Sequence, residues 1–356
     1  MKKCKLMLSK IVDFYTDNKR ELPWRRDADP YRVWLSEIML QQTRVEAVIP
    51  YYERFLSLFP TVFDLANAPE DTLLKAWEGL GYYSRARNLH KTAKTVVEVY
   101  GGVFPADFAA LLSLSGVGEY TAAAIASICF DLPYAAIDGN VLRIYARVFA
   151  DGRDVTDAKV KKDIKKALEE SFPDGKAASV TQGFMEIGQR FCAPNGAPRC
   201  SACPLSALCQ TAKSGDYAAF PYRKPKKARR IIQKTIFLLH VADAEGGKFL
   251  IRKRDENGLL GGLWEFPSVD EALAVEDAPA KASAFGVTPL ATIPAPTAVH
   301  VFTHLEWHMQ GILIECGGEF PDTLTSASAK ELKEKYPIAS AFRAFKDYIF
   351  KHENNE

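Results

Sequence analysis

Four of the chain's seven cysteines fall within eighteen residues, as Cys192-x7-Cys200-x2-Cys203-x5-Cys209. Spacing this tight closes small loops around one centre, and Pro194, Pro198 and Pro204 stiffen them. Four thiolates without histidine suit tetrahedral zinc or a 4Fe–4S cluster. Zinc ribbons usually present two CxxC knuckles, whereas one CxxC stands here, so the spacing favours iron–sulfur. Two disulfides would fit a reducing compartment poorly. With no flavin or nicotinamide fingerprint beside it, the centre is expected to be structural, fixing a loop whose Arg190 and Arg199 could meet phosphates. Cys4, Cys129 and Cys316 are scattered and read as small buried thiols.

The rest of the chain divides into two unlike halves. At 356 residues there is length for two domains, and 47% hydrophobic with 25% charged residues is ordinary for a soluble protein. A net charge of +2 is too small to imply a nucleic-acid partner by itself, so a basic footprint must be local. No apolar run approaches the ~18 residues a membrane span needs. Lys10 and Asp13 interrupt the apolar part of the N-terminus, which reads as an amphipathic helix, not a signal sequence. A cytoplasmic monomer with no membrane association is expected. Residues 5 to about 190 carry helical periodicity, punctuated by Pro50, Pro60, Pro105 and Pro173. RKPKKARR (223–230) has six basic residues in eight, and Pro221 and Pro225 keep it extended as a linker able to touch phosphates. TIFLLHVAD, KFLIRKR, LWEFP and MQGILIEC then read as strands, with a closing helix around 330–350. The expected boundaries are 1–212 for a helical domain, 213–233 for the linker and 234–356 for a smaller α+β domain.

LSGVGEYTAAAI, beginning at Leu114, reads as a tight turn into a helix. Gly116 and Gly118 would allow positive φ and close approach of another backbone. The helix from about Glu119 would offer its free N–H groups and positive dipole end to one phosphate. Twenty residues past Gly118, Asp138 sits in IDGN, where Asp before Gly-Asn is also an ordinary helix-capping signal. Together they suggest chemistry on a nucleic acid.

These residues carry a family resemblance. LSGVGEYT, IDGN and the four-cysteine loop resemble the helix–hairpin–helix DNA glycosylases related to endonuclease III. LPWRRDADPYRVWLSEIMLQQTRV (22–45), GLGYYSRARNLH (79–90) and LLGGLWEFP (259–267) narrow this to the MutY-type adenine DNA glycosylases. The resemblance covers roughly residues 6–316. It implies a six-helix barrel with an iron–sulfur module, followed by a smaller Nudix-like α+β domain. The implied cofactor is a 4Fe–4S cluster on Cys192, Cys200, Cys203 and Cys209. The implied substrate is duplex DNA in which adenine is mispaired with 8-oxoguanine.

Cleaving the N-glycosidic bond needs an acid for the base and an anion for the cation-like sugar. Glu37 lies among Trp34, Leu35, Ile38, Met39 and Leu40, where burial would raise its pKa, although an ordinary helix Glu reads the same way. The resemblance makes Glu37 the residue that protonates adenine N7 and later handles water. Asp138 is then the ionised partner, held by Asn140 and the Tyr120 hydroxyl. Bifunctional relatives carry a Lys where Tyr120 stands; its amine forms a Schiff base and cuts the strand. Tyr cannot, so excision without efficient strand cleavage is expected. Trp24, Arg25, Leu40 and Val45 would form the slot for a flipped adenine, with Gln182 and Glu186 one helical turn apart at its edge. Gln42 and Tyr82 would wedge into the base stack. Core packing is the competing account of Leu40, Val45 and Tyr82.

In the C-terminal half the family reads 8-oxoguanine through Phe-Ser-His, and Phe302-Thr303-His304 is the matching segment. Its Thr keeps the hydroxyl and adds a methyl; a plain β-hairpin is the alternative reading of VHVFTHLEWHMQ. The first cysteine gap is seven residues where the family typically has six. LLGGLWEFP also resembles the opening of Nudix hydrolases, but SVDEALAVEDAPAKA lacks their REx2ExxE-like run of metal-binding Glu residues. An endonuclease III-like glycosylase-lyase and a non-catalytic iron–sulfur DNA-binding module complete the alternatives.

Overall fold

The computed structural model describes residues 1–225, 228–243, 246–255 and 258–353. Lys226 and Lys227 of the basic segment lie outside the described residues. The chain separates into two compact units, Met1–Ala68 with Arg87–Lys226 and Pro69–Ala86 with Lys227–Glu356.

Helices come first in the chain, as the periodicity requires. They are α1 (Lys2–Asn18), α2 (Pro30–Met39), α3 (Val45–Leu58), α4 (Val62–Asn67), α5 (Glu70–Ala76), α6 (Ser84–Tyr100) and α7 (Phe108–Ser113). Beyond them lie α8 (Glu119–Phe130), α9 (Gly139–Phe149), α10 (Ala158–Glu169), α11 (Ala177–Arg190) and α12 (Gln210–Ser214). Helix α5 and the start of α6 group with the second unit. Within the first, α8 is buried from Thr121 to Ser127, and its run of alanines lets α2, α7 and α11 pack closely against it. Helix α11 carries two interior glycines, each costly for a helix by about 1 kcal/mol relative to Ala. A Cβ on Gly183 would stand 2.5 Å from Ile11 Cγ2, so its absence lets α1 approach.

The basic join is less free than its composition suggests. Arg147 donates to the carbonyls of Phe220 (2.9 Å) and Tyr217 (3.3 Å), and the Val155 N–H to that of Tyr222 (3.1 Å). These backbone contacts seat residues 217–222 on the helical unit.

The second unit is built on a mixed sheet ordered β3-β2-β1-β6-β5. Its strands are β1 (Arg230–Asp243), β2 (Gly246–Lys253), β3 (Trp264–Glu265), β4 (Ser268–Val269), β5 (Thr288–Val301), β6 (Leu305–Gly317) and β7 (Thr325–Ala327). Strands β1 and β6 run parallel, and β5 and β6 form an antiparallel hairpin. Helix α13 (Ala278–Ser283) follows β4. The single closing helix expected around 330–350 is two, α14 (Ala329–Glu334) and α15 (Arg343–Glu353). Pro337 accounts for the break, since proline disfavours helix both at its own position and at the residue before it.

Candidate active site

Helix α2 starts cleanly: Pro30 takes the first position, and the Asp29 carboxylate accepts from the Arg32 N–H at 2.9 Å. From Val33 to Met39 every residue is buried, so α2 threads the interior and brings Glu37 with it, 5% exposed. Tyr120, in the first turn of α8, donates its hydroxyl to Glu37 Oε2 at 2.9 Å. Burial pushes the Glu37 carboxyl up to about 7; the Tyr120 hydrogen bond and Arg25 oppose the rise, and the nearby Asp138 charge adds to it. Burial also lifts the Tyr120 phenol well above its usual range.

Asp138 caps α9. Its carboxylate accepts from the Val141 N–H at 2.8 Å and from Asn140 Nδ2 at 2.6 Å. Burial raises this carboxyl too, while those donors, the Asn140 N–H and Arg143 pull it back. The cap reading and the catalytic reading of Asp138 are thus compatible. Tyr120 departs from expectation: its hydroxyl goes to Glu37, while the two oxygens of Asp138 accept from Val141 and Asn140 at their own helix start.

The surroundings of Asn140 were not legible in advance. Arg143, 5% exposed, donates to Asn140 Oδ1 (2.8 Å) and to the carbonyls of Gly188 (2.9 Å), Gly139 (3.0 Å) and Cys192 (2.7 Å). It joins the Asp138 cap to the first cysteine. Asn140 fits only because residue 188 is glycine, since a Cβ there would lie 2.5 Å from its Oδ1. A glycine inside the otherwise helical run GFMEIGQR was the available signal.

Trp24, Arg25, Leu40, Val45 and Gln182 line one pocket together with Glu37. Arg20, Ser36, Ile128, Met185 and Gln189, which sequence reasoning did not single out, also line it. Glu186 lies behind these residues, wholly buried, accepting from Arg20 at 2.9 Å and from Arg25 at 2.6 Å. Its carboxylate therefore fixes the orientation of Arg25.

The hairpin residues divide. Gly116 has φ of +72°, and a Cβ there would strike Asn88 at 2.6 Å. Gly118 caps α8 with an extended backbone, φ −85°, and open space where its Cβ would be, so positive φ is not what this position requires. Its small size leaves the helix start accessible. Gln42 and Tyr82, in separate units, are both exposed and both left-handed, with φ of +59° and +49°. Non-glycine residues seldom adopt that region, and observed strain of this kind points to function. In the second unit the Phe302 N–H donates to the Leu305 carbonyl at 2.8 Å, making Thr303 and His304 the exposed tip of the β5–β6 hairpin. Phe302 is buried below them against His300 and Trp307.

Cys192, Cys200, Cys203 and Cys209 are unpaired and line a single pocket with Ile144, Val148 and Leu205. Arg147 donates to Cys192 Sγ at 3.2 Å, and backbone N–H groups face Cys203 and Cys209. Burial lifts the Cys203 thiol to about 11, and the other three cysteines add to the rise. Among the described residues no three His, Cys, Asp or Glu side chains gather as a single metal ion would require. Four soft donors lining one cavity, with the buried Arg147 beside Cys192, fit a thiolate-held group. No Nudix-type carboxylate metal centre occurs among the described residues either.

Comparison with known proteins agrees with this architecture. Residues 35–170 match the HhH-GPD superfamily of base excision DNA repair proteins, and residues 238–348 match the NUDIX domain. An adenine DNA glycosylase of Buchnera aphidicola (subsp. Schizaphis graminum) is 37% identical over 261 residues, 73% of this chain and 74% of that protein. The Homo sapiens adenine DNA glycosylase is 32% identical over 397 residues, 94% of this chain and 72% of its own. The chain belongs to the adenine DNA glycosylase family. The match to the Arabidopsis thaliana adenine DNA glycosylase, 36% identical, spans 46% of that longer protein. Among solved structures, a thermostable thymine-DNA glycosylase is 30% identical with a TM-score of 0.54, covering 60% of this chain and 98% of its own. A trapped endonuclease III–DNA complex is 25% identical with a TM-score of 0.50, covering 58% and 94%. Like other members of this DNA glycosylase family, the chain is an enzyme of N-glycosyl bond hydrolysis in base excision repair.

Gly188→Ala should displace Asn140 and slow base release about a hundredfold with modest loss of stability. Gly183→Ala should instead cost about 1–3 kcal/mol in urea melts with catalysis largely retained. Equal rate losses in both would refute the placement of Asn140. Glu37 carries a sign of its own. Its folded pKa lies above its unfolded 4.5, so the protonated group contributes stability below pH 4.5, and that contribution is lost as pH rises to about 7. The native protein should lose on the order of 3 kcal/mol relative to Glu37→Gln across that window. Parallel stability curves would contradict the buried position.

Proposed function

We propose that this chain removes adenine mispaired with 8-oxoguanine, and with guanine, from duplex DNA, and does not cut the strand. The observation that carries the reading is the pair of unlike carboxyl groups: Glu37 raised to about 7 by burial, and Asp138 held by donors from its own helix start. Two carboxyls whose surroundings separate their protonation states supply an acid and an anion together.

Protonated Glu37 gives its proton to adenine N7. The C1′–N9 bond breaks with its electron pair leaving on the base, and the Asp138 carboxylate faces the cationic sugar. Water then adds to C1′ and returns a proton to Glu37. Trp24, Arg25, Leu40 and Val45 receive the flipped base; Gln182 reads its edge, and Glu186, buried behind the pocket, holds Arg25 in place instead of reading the edge itself. Gln42 and Tyr82 enter the stack, Gly116 and Gly118 admit a phosphate at the start of α8, and Phe302, Thr303 and His304 meet the 8-oxoguanine. Cys192, Cys200, Cys203 and Cys209 would hold a 4Fe–4S cluster that braces the loop beside Arg143. Tyr120 has no amine, which supports simple hydrolysis over a Schiff base. The chain acts as a monomer inside the cell.

Single-turnover adenine release from an 8-oxoguanine:adenine duplex, beside an adenine:thymine duplex, tests this. Release confined to the lesion duplex is expected, with strand breaks only after alkali. Glu37→Gln should bind but release adenine about 10²–10⁴-fold more slowly. Strand cutting without alkali would overturn the monofunctional reading, and intact binding with no release by the native protein would leave only a DNA-binding module.

A further inference from the structure

The stretch Pro69–Ala86 precedes most of the helical sequence, yet it packs with the C-terminal unit. It carries Tyr82, 46% exposed and held at φ +49° after Gly79 and Gly81 at +102° and +68°. A left-handed tyrosine persists only where its surroundings over-determine it. Part of that constraint is local. The Trp77 indole N–H donates to the Gly81 carbonyl at 3.1 Å, and Arg85 Nη2 donates to the carbonyls of Leu80 (2.9 Å) and Gly81 (3.1 Å).

A further part comes from the far end of the chain. Glu78 stands between two lysines: Lys75 Nζ reaches Oε2 at 2.6 Å, and Lys346 Nζ, on α15, reaches Oε1 at 2.7 Å. Lys75 also donates to the Lys333 carbonyl in the last turn of α14. The Lys75, Glu78 and Lys346 side chains are 27%, 23% and 14% exposed, more sheltered than typical surface pairs. A wedge must resist the stack it opens, which costs a few kcal/mol to part, so its loop needs an anchor.

We propose that Glu78 and Lys346 are positioning residues, an ionic brace through which the C-terminal domain fixes the Tyr82 loop. Lesion recognition and base extrusion are thereby coupled through one rigid unit. The proposal rests on the reading of Tyr82 as the wedge.

The test uses the full chain and two readouts. Hydrogen exchange of residues 77–85 should accelerate about three- to tenfold in Lys346→Met and in Glu78→Gln, and recover in Lys346→Arg. Unchanged exchange would overturn the brace. The second readout is 2-aminopurine fluorescence beside an 8-oxoguanine:adenine pair, which follows base extrusion. Lys346→Met should slow extrusion by a similar factor when Tyr82 is present and by less than about twofold in the Tyr82→Ala background, a coupling that the cycle isolates. Additive losses would mean that Lys346 supports the fold generally, and would overturn the proposal. If Tyr82→Ala alone leaves extrusion unchanged, the wedge reading fails, while the exchange data still decide the brace.

Discussion

A carboxyl group held out of water beside a second carboxyl is the constraint on which the catalytic unit depends. Removing Glu37 from solvent opposes its ionisation, and the charge on Asp138 opposes it further. Such an arrangement is tolerable only if both groups are bonded and their positions fixed. The Tyr120 hydroxyl meets Glu37, the start of α9 meets Asp138, and Arg143 ties that start to the cysteine loop through Asn140 and the Cys192 carbonyl. Each contact demands close helix packing. The alanines of α8 and the glycines of α11 provide it, so small residues in the core determine the distances between these groups.

How far the sequence disclosed this varied with the physical reason. Residues whose chemistry is local were readable: the four cysteines declare a common centre by spacing, and Asp138 declares a helix start. Glu37 was readable as an acid among apolar neighbours, and its burial follows from α2 being enclosed on every side. The pocket residues Trp24, Arg25, Leu40, Val45 and Gln182 were named from resemblance and do converge. What remained hidden was pairwise. Nothing along the chain says that Gly188 vacates space for Asn140, that Arg143 bridges two motifs, or that the Tyr120 hydroxyl meets Glu37 and not Asp138.

Strand β5 shows a different limit. Its stretch TPLATIPAPTAVHV contains Pro289, Pro294 and Pro296, which argue against a strand. It forms one because it is the sheet's edge, with register shifts between Pro289 and Ala291 and between Ala295 and Thr297. The prolines also blunt an edge that would otherwise pair with another chain. The break at Pro337 was, by contrast, readable from the residue itself. Pro69–Ala86 groups with the C-terminal unit and makes contacts across more than 250 positions, such as Lys346 with Glu78, which no local pattern encodes.

The proposed acid–anion pair turns on the protonation state of one carboxyl, which can be observed directly. Isotope-edited infrared titration of the Glu37 carboxyl in the full-length protein, assigned by its loss in Glu37→Gln, should give a midpoint at about 7. Asp138→Asn, which removes the neighbouring charge, should move that midpoint downward. A midpoint at the ordinary value of 4.5, unmoved by Asp138→Asn, would mean that Glu37 is solvated and that the two carboxyls do not form an acid–anion pair.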